Sequence, residues 1–536
     1  MTSSLQAVAA KAPAVADVPP ARGWRDSLAA LWDWRVLSML CLGFAAGLPI
    51  LLIFSSLSLW LSEAGVERKA VTFFSWAALG YSFKFIWAPL VDRLPLPLLT
   101  RMLGRRRSWL LLAQSGVVLA ITGMAMTDPA SGGNTLTSMA LFAVLLGFTS
   151  ATQDIVIDAY RIEIARPEQQ GLLSSAYIAG YRVGMIVAGA GALFLAAWWG
   201  SAKGSYRYEA WQWTYLSMAG VMAVGILTTL ITPEPQRSAA AQPGASGATN
   251  PSGEHLRLLL VFLASVGAFV AVFYQAGLVL APWQEGAAPV VSLLLEAVRL
   301  AAGLSMAFGT GWLLVRLGVA SRAQARVTWV EPVLDFFRRY GTSTAWLVLA
   351  LIGLYRISDI VLGVISNVFY QDMGFSKPEI AYAVKTFGVV VSIVGGFAGG
   401  ILATRIGVMR SLMWGAVLAA LTNLGFVALA HAGHDVPLMY TVVAADNLAA
   451  GFSSAAFVAF LSSLTNVSFT AVQYAIFSSL MTLLPKTLGG YSGGMVDAMG
   501  YPGFFWFTTF VGLPVMVLVW LARRRLEIAE PVKARK

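Results

Sequence analysis

Apolar residues run in blocks long enough to cross a bilayer, broken by short polar stretches that carry most of the charge. A helix needs about 20 mainly apolar residues to span the hydrocarbon core. Runs of that kind lie at 36–61, 69–91, 108–127, 136–162, 171–198 and 211–232, and again at 345–370, 378–403, 408–430, 437–462, 468–489 and 500–522. Two further runs, 256–282 and 288–318, sit between these groups, divided by Pro282-Trp283-Gln284-Glu285-Gly286. The pattern predicts an all-α integral membrane protein of about fourteen helices, two six-helix bundles with an extra pair between them.

The polar stretches complete the domain plan. Residues 1–35 read as a cytoplasmic, disordered leader, since Met1 to about Val18 is Ala/Pro-rich without the cationic-then-apolar layout of a signal peptide. The first bundle is expected over 36–232, a Pro/Gly/Ala/Ser-rich linker over 233–255, and the extra pair over 256–318. A basic cytoplasmic segment over 319–344, the second bundle over 345–522 and a basic tail over 523–536 follow. Arginine sets the orientation. Arg93, Arg101, Arg105, Arg106 and Arg107 follow the second run, Arg161 and Arg166 the fourth, and Arg405 and Arg410 the eighth, whereas 128–135 and 431–437 hold neither Lys nor Arg. Positive loops stay inside, so both termini are expected in the cytoplasm, and the extra pair preserves that parity. Within that pair Glu296 and Arg299, three residues apart, are expected to pair structurally on one helix face.

Composition narrows the class. Hydrophobic residues make up 58% of the chain and charged ones 12%, against about 25% charged in soluble domains. The net charge of +11 is then a loop property and not a nucleic-acid footprint. Cys41 stands alone, and His255, His431 and His434 all lie near span ends, so neither a disulfide, a metal site nor a cofactor is expected. No Gly-rich phosphate loop of the required spacing is present, which argues against an enzyme.

What remains is charge inside the spans. Lys84, Asp154, Arg182, Asp359, Lys385 and Asp446 each lie well within an apolar run. A charge at the bilayer centre costs about 2.5–3.5 kcal/mol on insertion scales, so it tends to face a water-filled path or an opposite charge. The expected activity is movement of a polar solute. Lys84 and Asp154 each fall about 12 Å from the cytoplasmic end at 1.5 Å per residue, which makes them a candidate ion pair. Asp158 and Arg161 continue the Asp154 stripe at i+4 and i+7 with Gln153 beside it, and their shallow position suits a cytoplasmic gate. Arg182, with Tyr177 and Tyr181 on a neighbouring face, offers a planar fork to a carboxylate and aromatic faces to a sugar; packing is the competing use of those rings. Asp359, Lys385 and Asp446 can form a carboxylate–lysine–carboxylate cluster able to hold a proton, with a static bridge as the alternative.

Two loops carry a repeated motif. Ala88-Pro-Leu-Val-Asp92-Arg93, then Gly104-Arg105-Arg106-Arg107 after an insertion, and Gly400-Ile-Leu-Ala-Thr404-Arg405-Ile-Gly407-Val-Met-Arg410 resemble the loop signature of the major facilitator superfamily. The first copy has Ala88 where the signature has glycine, and the second has Thr404 where it has aspartate. A narrower resemblance rests on Gly43-Phe-Ala-Ala-Gly47-Leu-Pro49, Phe83-Lys84-Phe85-Ile-Trp87-Ala-Pro89-Leu-Val-Asp92-Arg93, Ser150-Ala-Thr-Gln153-Asp154-Ile-Val-Ile-Asp158 and Gly180-Tyr181-Arg182. Leu354-Tyr355-Arg356-Ile-Ser-Asp359, Val384-Lys385-Thr386, Asp446-Asn447-Leu448 and Ser454-Ala-Ala-Phe457 continue it in the second half. These segments resemble the AmpG muropeptide permease family, although Leu484 to Gly490 departs from its pattern.

The resemblance implies proton-coupled import of anhydro-muropeptides (N-acetylglucosaminyl-1,6-anhydro-N-acetylmuramyl peptides) across the bacterial inner membrane for peptidoglycan recycling, with a link to beta-lactamase induction. It implies alternating access by a monomer, with the proton gradient as driving force and no cofactor. On that reading Asp154, Asp359 and Asp446 are proton-coupling candidates, and Lys84, Gln153, Tyr181, Arg182, Arg356, Lys385 and Asn447 are substrate-binding candidates. Asp92, Arg93, Arg105, Asp158, Arg161 and Arg405 are gating candidates. Acetyl-coenzyme A transport or drug/proton antiport in the same fold, and a channel, are the alternatives.

Overall fold

The computed structural model describes residues 30–66, 81, 83–132, 134–166, 169–201, 204–235, 251–284, 289–489 and 492–526. The leader before 30, most of the linker and the tail after 526 lie outside the described residues, as does much of the second run. The first bundle comprises α1 (Trp34–Leu51), α2 (Leu57–Glu63), α3 (Ala88–Arg93), α4 (Arg105–Ala125), α5 (Thr135–Ile164), α6 (Gln170–Ile186), α7 (Ala192–Trp198), α8 (Tyr208–Val221) and α9 (Ala223–Ile231). The extra pair is a hairpin of α10 (Pro251–Gln284) and α11 (Pro289–Arg316). The second bundle comprises α12 (Glu331–Leu354), α13 (Ile357–Asp372), α14 (Gly388–Ile406), α15 (Val408–Ala432), α16 (Val436–Leu464), α17 (Thr470–Gly489) and α18 (Ser492–Arg525). Among the described residues twelve helices are long and apolar enough to span a bilayer, the hairpin supplying two of them.

Several spans are interrupted where one continuous helix was expected. The first run passes through a π turn at Leu52–Ser56 and the eighth through another at Ala381–Phe387. The seventh breaks at Tyr355–Arg356, between α12 and α13. Gly500 inside α18 has φ 68°, a left-handed conformation that glycine adopts without Cβ strain. The basic segment 319–344 is helical: a short helix Arg322–Ala325 and a π turn Arg326–Val330 lead into α12, and Gly341 (φ 71°) bends the chain into the membrane span.

Small residues let the backbones meet inside each bundle. A Cβ at Gly47 or Gly180 would collide with a carbonyl of the facing helix, α6 or α1, and one at Gly399 would lie 2.5 Å from the Phe452 carbonyl oxygen on α16. Close backbone approach at small residues is the common packing device of membrane helices, where lipid supplies no hydrophobic drive between them. The Gly43/Gly47 motif is therefore a packing motif. One core fills the first bundle around Trp60, Trp211 and Tyr215, and another fills the second around Phe369, Phe426 and Phe505.

Candidate functional site

The named contacts between bundles gather at the end that carries the basic loops. Asp92, in α3, is buried and accepts the backbone N–H groups of Ala471 (3.3 Å) and Val472 (3.1 Å), in the first turn of α17 across the interface. A carboxylate is favoured there because the free N–H groups of a helix start carry partial positive charge. Arg106 holds Asp92 in place at 2.7 Å and also binds Glu163 at 2.5 Å; its side chain is wholly enclosed. Arg105 donates to the Asp92 carbonyl and lies 3.7 Å from Glu163. Asp92 and Arg105, the expected gating candidates, meet in one network, and Arg106, which sequence alone left among the loop positives, is its buried centre. Arg93 turns away and donates to the Val327 carbonyl at 3.0 Å.

Next to this network, Arg161 joins the two halves. Its guanidinium donates to Ser174 (2.8 Å), to Ser462 of the second bundle (2.8 Å) and to Asp158 (3.2 Å), and it lies 5.1 Å from the ring centre of Tyr474 on α17. Ser175 donates to the Gly396 carbonyl at 2.7 Å, closing α6 against α14. Arg405 occupies the last turn of α14, at this same end.

The expected Lys84–Asp154 pair is corrected here. The Lys84 ammonium lies 3.7 Å from Asp158, so Asp158 sits between two cations, Lys84 and Arg161. Equal Cα depth does not fix a lysine head group, because its long stem reaches about one helical turn toward the more polar end. Asp154 remains within electrostatic reach of Lys84 and Asp158, and Tyr177 donates to it at 3.5 Å. Tyr81 and Tyr181 also come within electrostatic reach of it, Tyr81 sharing a 2.5 Å hydrogen bond with Ser150. The carboxylate is therefore surrounded by tyrosines, of which sequence reasoning singled out only the α6 pair; their rings stand 6.1 Å apart. Tyr81 and Tyr474 were missed because no helical period relates them to Asp154 and only the docking of helices brings them beside it. Gln153 is wholly buried in this conformation and its side-chain amide has no hydrogen-bond partner among the described residues.

In the second bundle the break between α12 and α13 sets the site. Tyr355 is held by its hydroxyl, which donates to the Leu412 carbonyl at 2.9 Å, and by stacking on Phe457 at 4.5 Å. Arg356, beside it, approaches Asp359 at 4.0 Å, both half-buried. Asp446 on α16 lies within electrostatic reach of Asp359. The side chain of Lys385 lies outside the described residues, so of the expected three-member cluster only the two carboxylates are placed. Asn447 donates back to the Val443 carbonyl of its own helix at 3.0 Å. Arg182, half-buried on α6, comes within electrostatic reach of Arg356 from the opposite bundle and has no ion-pair partner among the described residues. Two guanidiniums approaching from opposite bundles suit an anionic group between them. No group of three His, Cys, Asp or Glu able to hold a metal occurs among the described residues.

Comparison with known proteins agrees with this architecture. Residues 36–234 match the family described as acetyl-coenzyme A transporter 1, and residues 344–536 match the major facilitator superfamily. The anhydromuropeptide permease of Escherichia coli (strain K12) is 30% identical over 494 residues, 92% of this chain and 80% of the relative. The putative transporter AmpG 4 of Rickettsia felis is 29% identical over 496 residues, 92% of this chain and 98% of the relative. The solved structure of the proton:xylose symporter XylE superposes with a TM-score of 0.56 at 13% identity, covering 93% of this chain and 96% of that one, which establishes the fold. Membrane-spanning helices in two bundles, a seal between them and full-length similarity together make this chain a major facilitator transporter that belongs to the anhydromuropeptide permease family.

Proposed function

We propose that the protein imports anhydro-muropeptides from the periplasm into the cytoplasm with a co-transported proton, for peptidoglycan recycling. The observation that carries the coupling is the connection of Asp154 and Asp158 to the seal. Asp158 holds Lys84 and Arg161, and Arg161 binds Ser462 of the other bundle, so a change of charge at these carboxylates acts directly on the contact between the halves. With the basic loops in the cytoplasm, as the positive-inside rule directs, both termini are cytoplasmic and the sealed end is the inner one.

The solute chemistry matches the groups above the seal. A muropeptide carries several carboxylates and two sugar rings; Arg182 and Arg356 offer forks from opposite bundles, and Tyr177 and Tyr181 offer aromatic faces. An anion bridging the two arginines relieves their mutual repulsion and draws the bundles together, which is the differential interaction that alternating access requires. Asp359 and Asp446 are further proton candidates, and Lys84, Lys385 and Asn447 are further substrate-binding candidates. A second reading, acetyl-coenzyme A, is favoured by the family match of the first bundle.

Counterflow in proteoliposomes separates these readings. Labelled N-acetylglucosaminyl-1,6-anhydro-N-acetylmuramyl tripeptide should exchange saturably and should be competed by unlabelled muropeptide and not by acetyl-coenzyme A. Competition by acetyl-coenzyme A alone would replace the muropeptide reading with the second one.

A further inference from the structure

The helical segment between the hairpin and the second bundle touches both halves of the transporter. On the first bundle, Arg93 donates to the Val327 carbonyl at 3.0 Å and the Trp329 indole donates to the Ile86 carbonyl at 3.3 Å. Trp329 also packs against the core cluster at this end, which joins Trp87 and Tyr160 of the first bundle to Ala471 and Ala475 of α17. On the second bundle, Gln473 donates to the Pro332 carbonyl (2.8 Å) and to Asp335 (2.9 Å), while Arg339 donates to the Leu464 carbonyl (3.1 Å) and to Gln473 (2.9 Å). Asn466 donates to Asp335 at 3.1 Å, and Phe336 meets Phe477 at 5.3 Å. The segment is amphipathic: Thr328 and Phe336 are buried, and Arg326 and Arg338 are more than 60% exposed.

The two sets of contacts differ in what happens to them when the seal opens. Those to the second bundle join the segment to the loop between α16 and α17 and continue covalently into the seventh span through Gly341, so they move as one body. Those to the first bundle cross the interface. The base of the hairpin adds to the same place, since Leu258 and Val261 pack with Val319, Ala320, Ala325 and Trp329.

The geometry points to a strap: Arg322–Tyr340 rides with the second bundle and clasps the first through Trp329 and Val327, holding the basic-loop end shut until the clasp releases. This assigns a conformational role to a segment outside the solute path, and it does not depend on which solute is carried. Opening must break the Trp329–Ile86 and Arg93–Val327 bonds and expose the indole face, and losing the clasp should favour the open state about tenfold, a typical coupling between two conformations.

The test uses labelling without any solute. In a Cys41→Ser background, Ala475→Cys places a thiol on α17 where the native side chain is buried against first-bundle residues. Inside-out vesicles are treated with a membrane-impermeant maleimide. Trp329→Ala should label about tenfold faster than the parent, and Trp329→Phe, which keeps an aromatic ring but loses the pyrrole half of the indole with its donor, should fall between them. Melting temperature in detergent reports folding, and if Trp329→Ala does not fold, Trp329→Phe decides. Labelling at the parent rate in the folded variants would overturn the strap. Since no muropeptide is present, failure of the substrate reading leaves this result untouched.

Discussion

Gly400 offers a sharp test of the seal, because its replacement adds one methyl at a contact that exists only while the end is closed. A Cβ at this position would lie 2.5 Å from the carbonyl oxygen of Gly171, on the opposite bundle, and would overlap the Ser175 hydroxyl. Ser175 cannot swing clear without losing its 2.7 Å bond to Gly396, and the Gly171 carbonyl is helix backbone. Overpacking of that kind costs about 1–3 kcal/mol, and here the cost falls on the sealed state alone. With 1.4 kcal/mol per factor of ten, the equilibrium should move toward the open state by about 5- to 150-fold. Gly396, one turn away on α14, is the control: its Cβ would sit 3.8 Å from the nearest atom, the Gly451 carbonyl oxygen. Both changes gain the same helix propensity from alanine, so that term cancels. With Ala475→Cys in a Cys41→Ser background, Gly400→Ala should react with impermeant maleimide at least fivefold faster than the parent and Gly396→Ala at the parent rate. Equal rates for the two variants would refute the close-contact argument.

Three further outcomes follow from the same structure. Asp154→Asn should retain muropeptide counterflow and lose uphill uptake driven by a proton gradient, since an amide mimics the neutral acid; Asp359→Asn and Asp446→Asn are compared at matched expression, and if all three still accumulate solute like the parent, proton coupling through these carboxylates is wrong. A reporter fused near Glu285 should register in the periplasm and one near Arg326 in the cytoplasm, and a cytoplasmic signal at Glu285 would contradict a spanning hairpin. A chain lacking residues 254–320, rejoined through the linker, should keep some uptake, because most of the hairpin surface packs on neither bundle. A well-folded deletion without uptake would place the hairpin in the transport path.

Much of the architecture is a one-dimensional property of the chain. Span length and apolarity mark α4, α5, α6, α15 and α16, because in lipid every backbone polar group must be satisfied within the segment and a helix does this locally. The rarity of charge inside the apolar runs pointed to Lys84, Asp154, Arg182, Asp359 and Asp446 for the same energetic reason, and the repeated loop motif pointed to Asp92 and Arg105. Pairing is a three-dimensional property. Asp92 reaches the start of α17 across nearly four hundred residues of sequence, Arg161 reaches Ser462, and Lys84 selects Asp158 over Asp154. None of these is set by helical period or Cα depth, since each depends on how two bundles dock and where a flexible side chain places its charge. The basic stretch after the hairpin shows the division most plainly. Its charge was legible as a cytoplasmic segment, while its helical strap across both bundles exists only because Ile86, Val327, Leu464 and Gln473 are brought to one face by the fold.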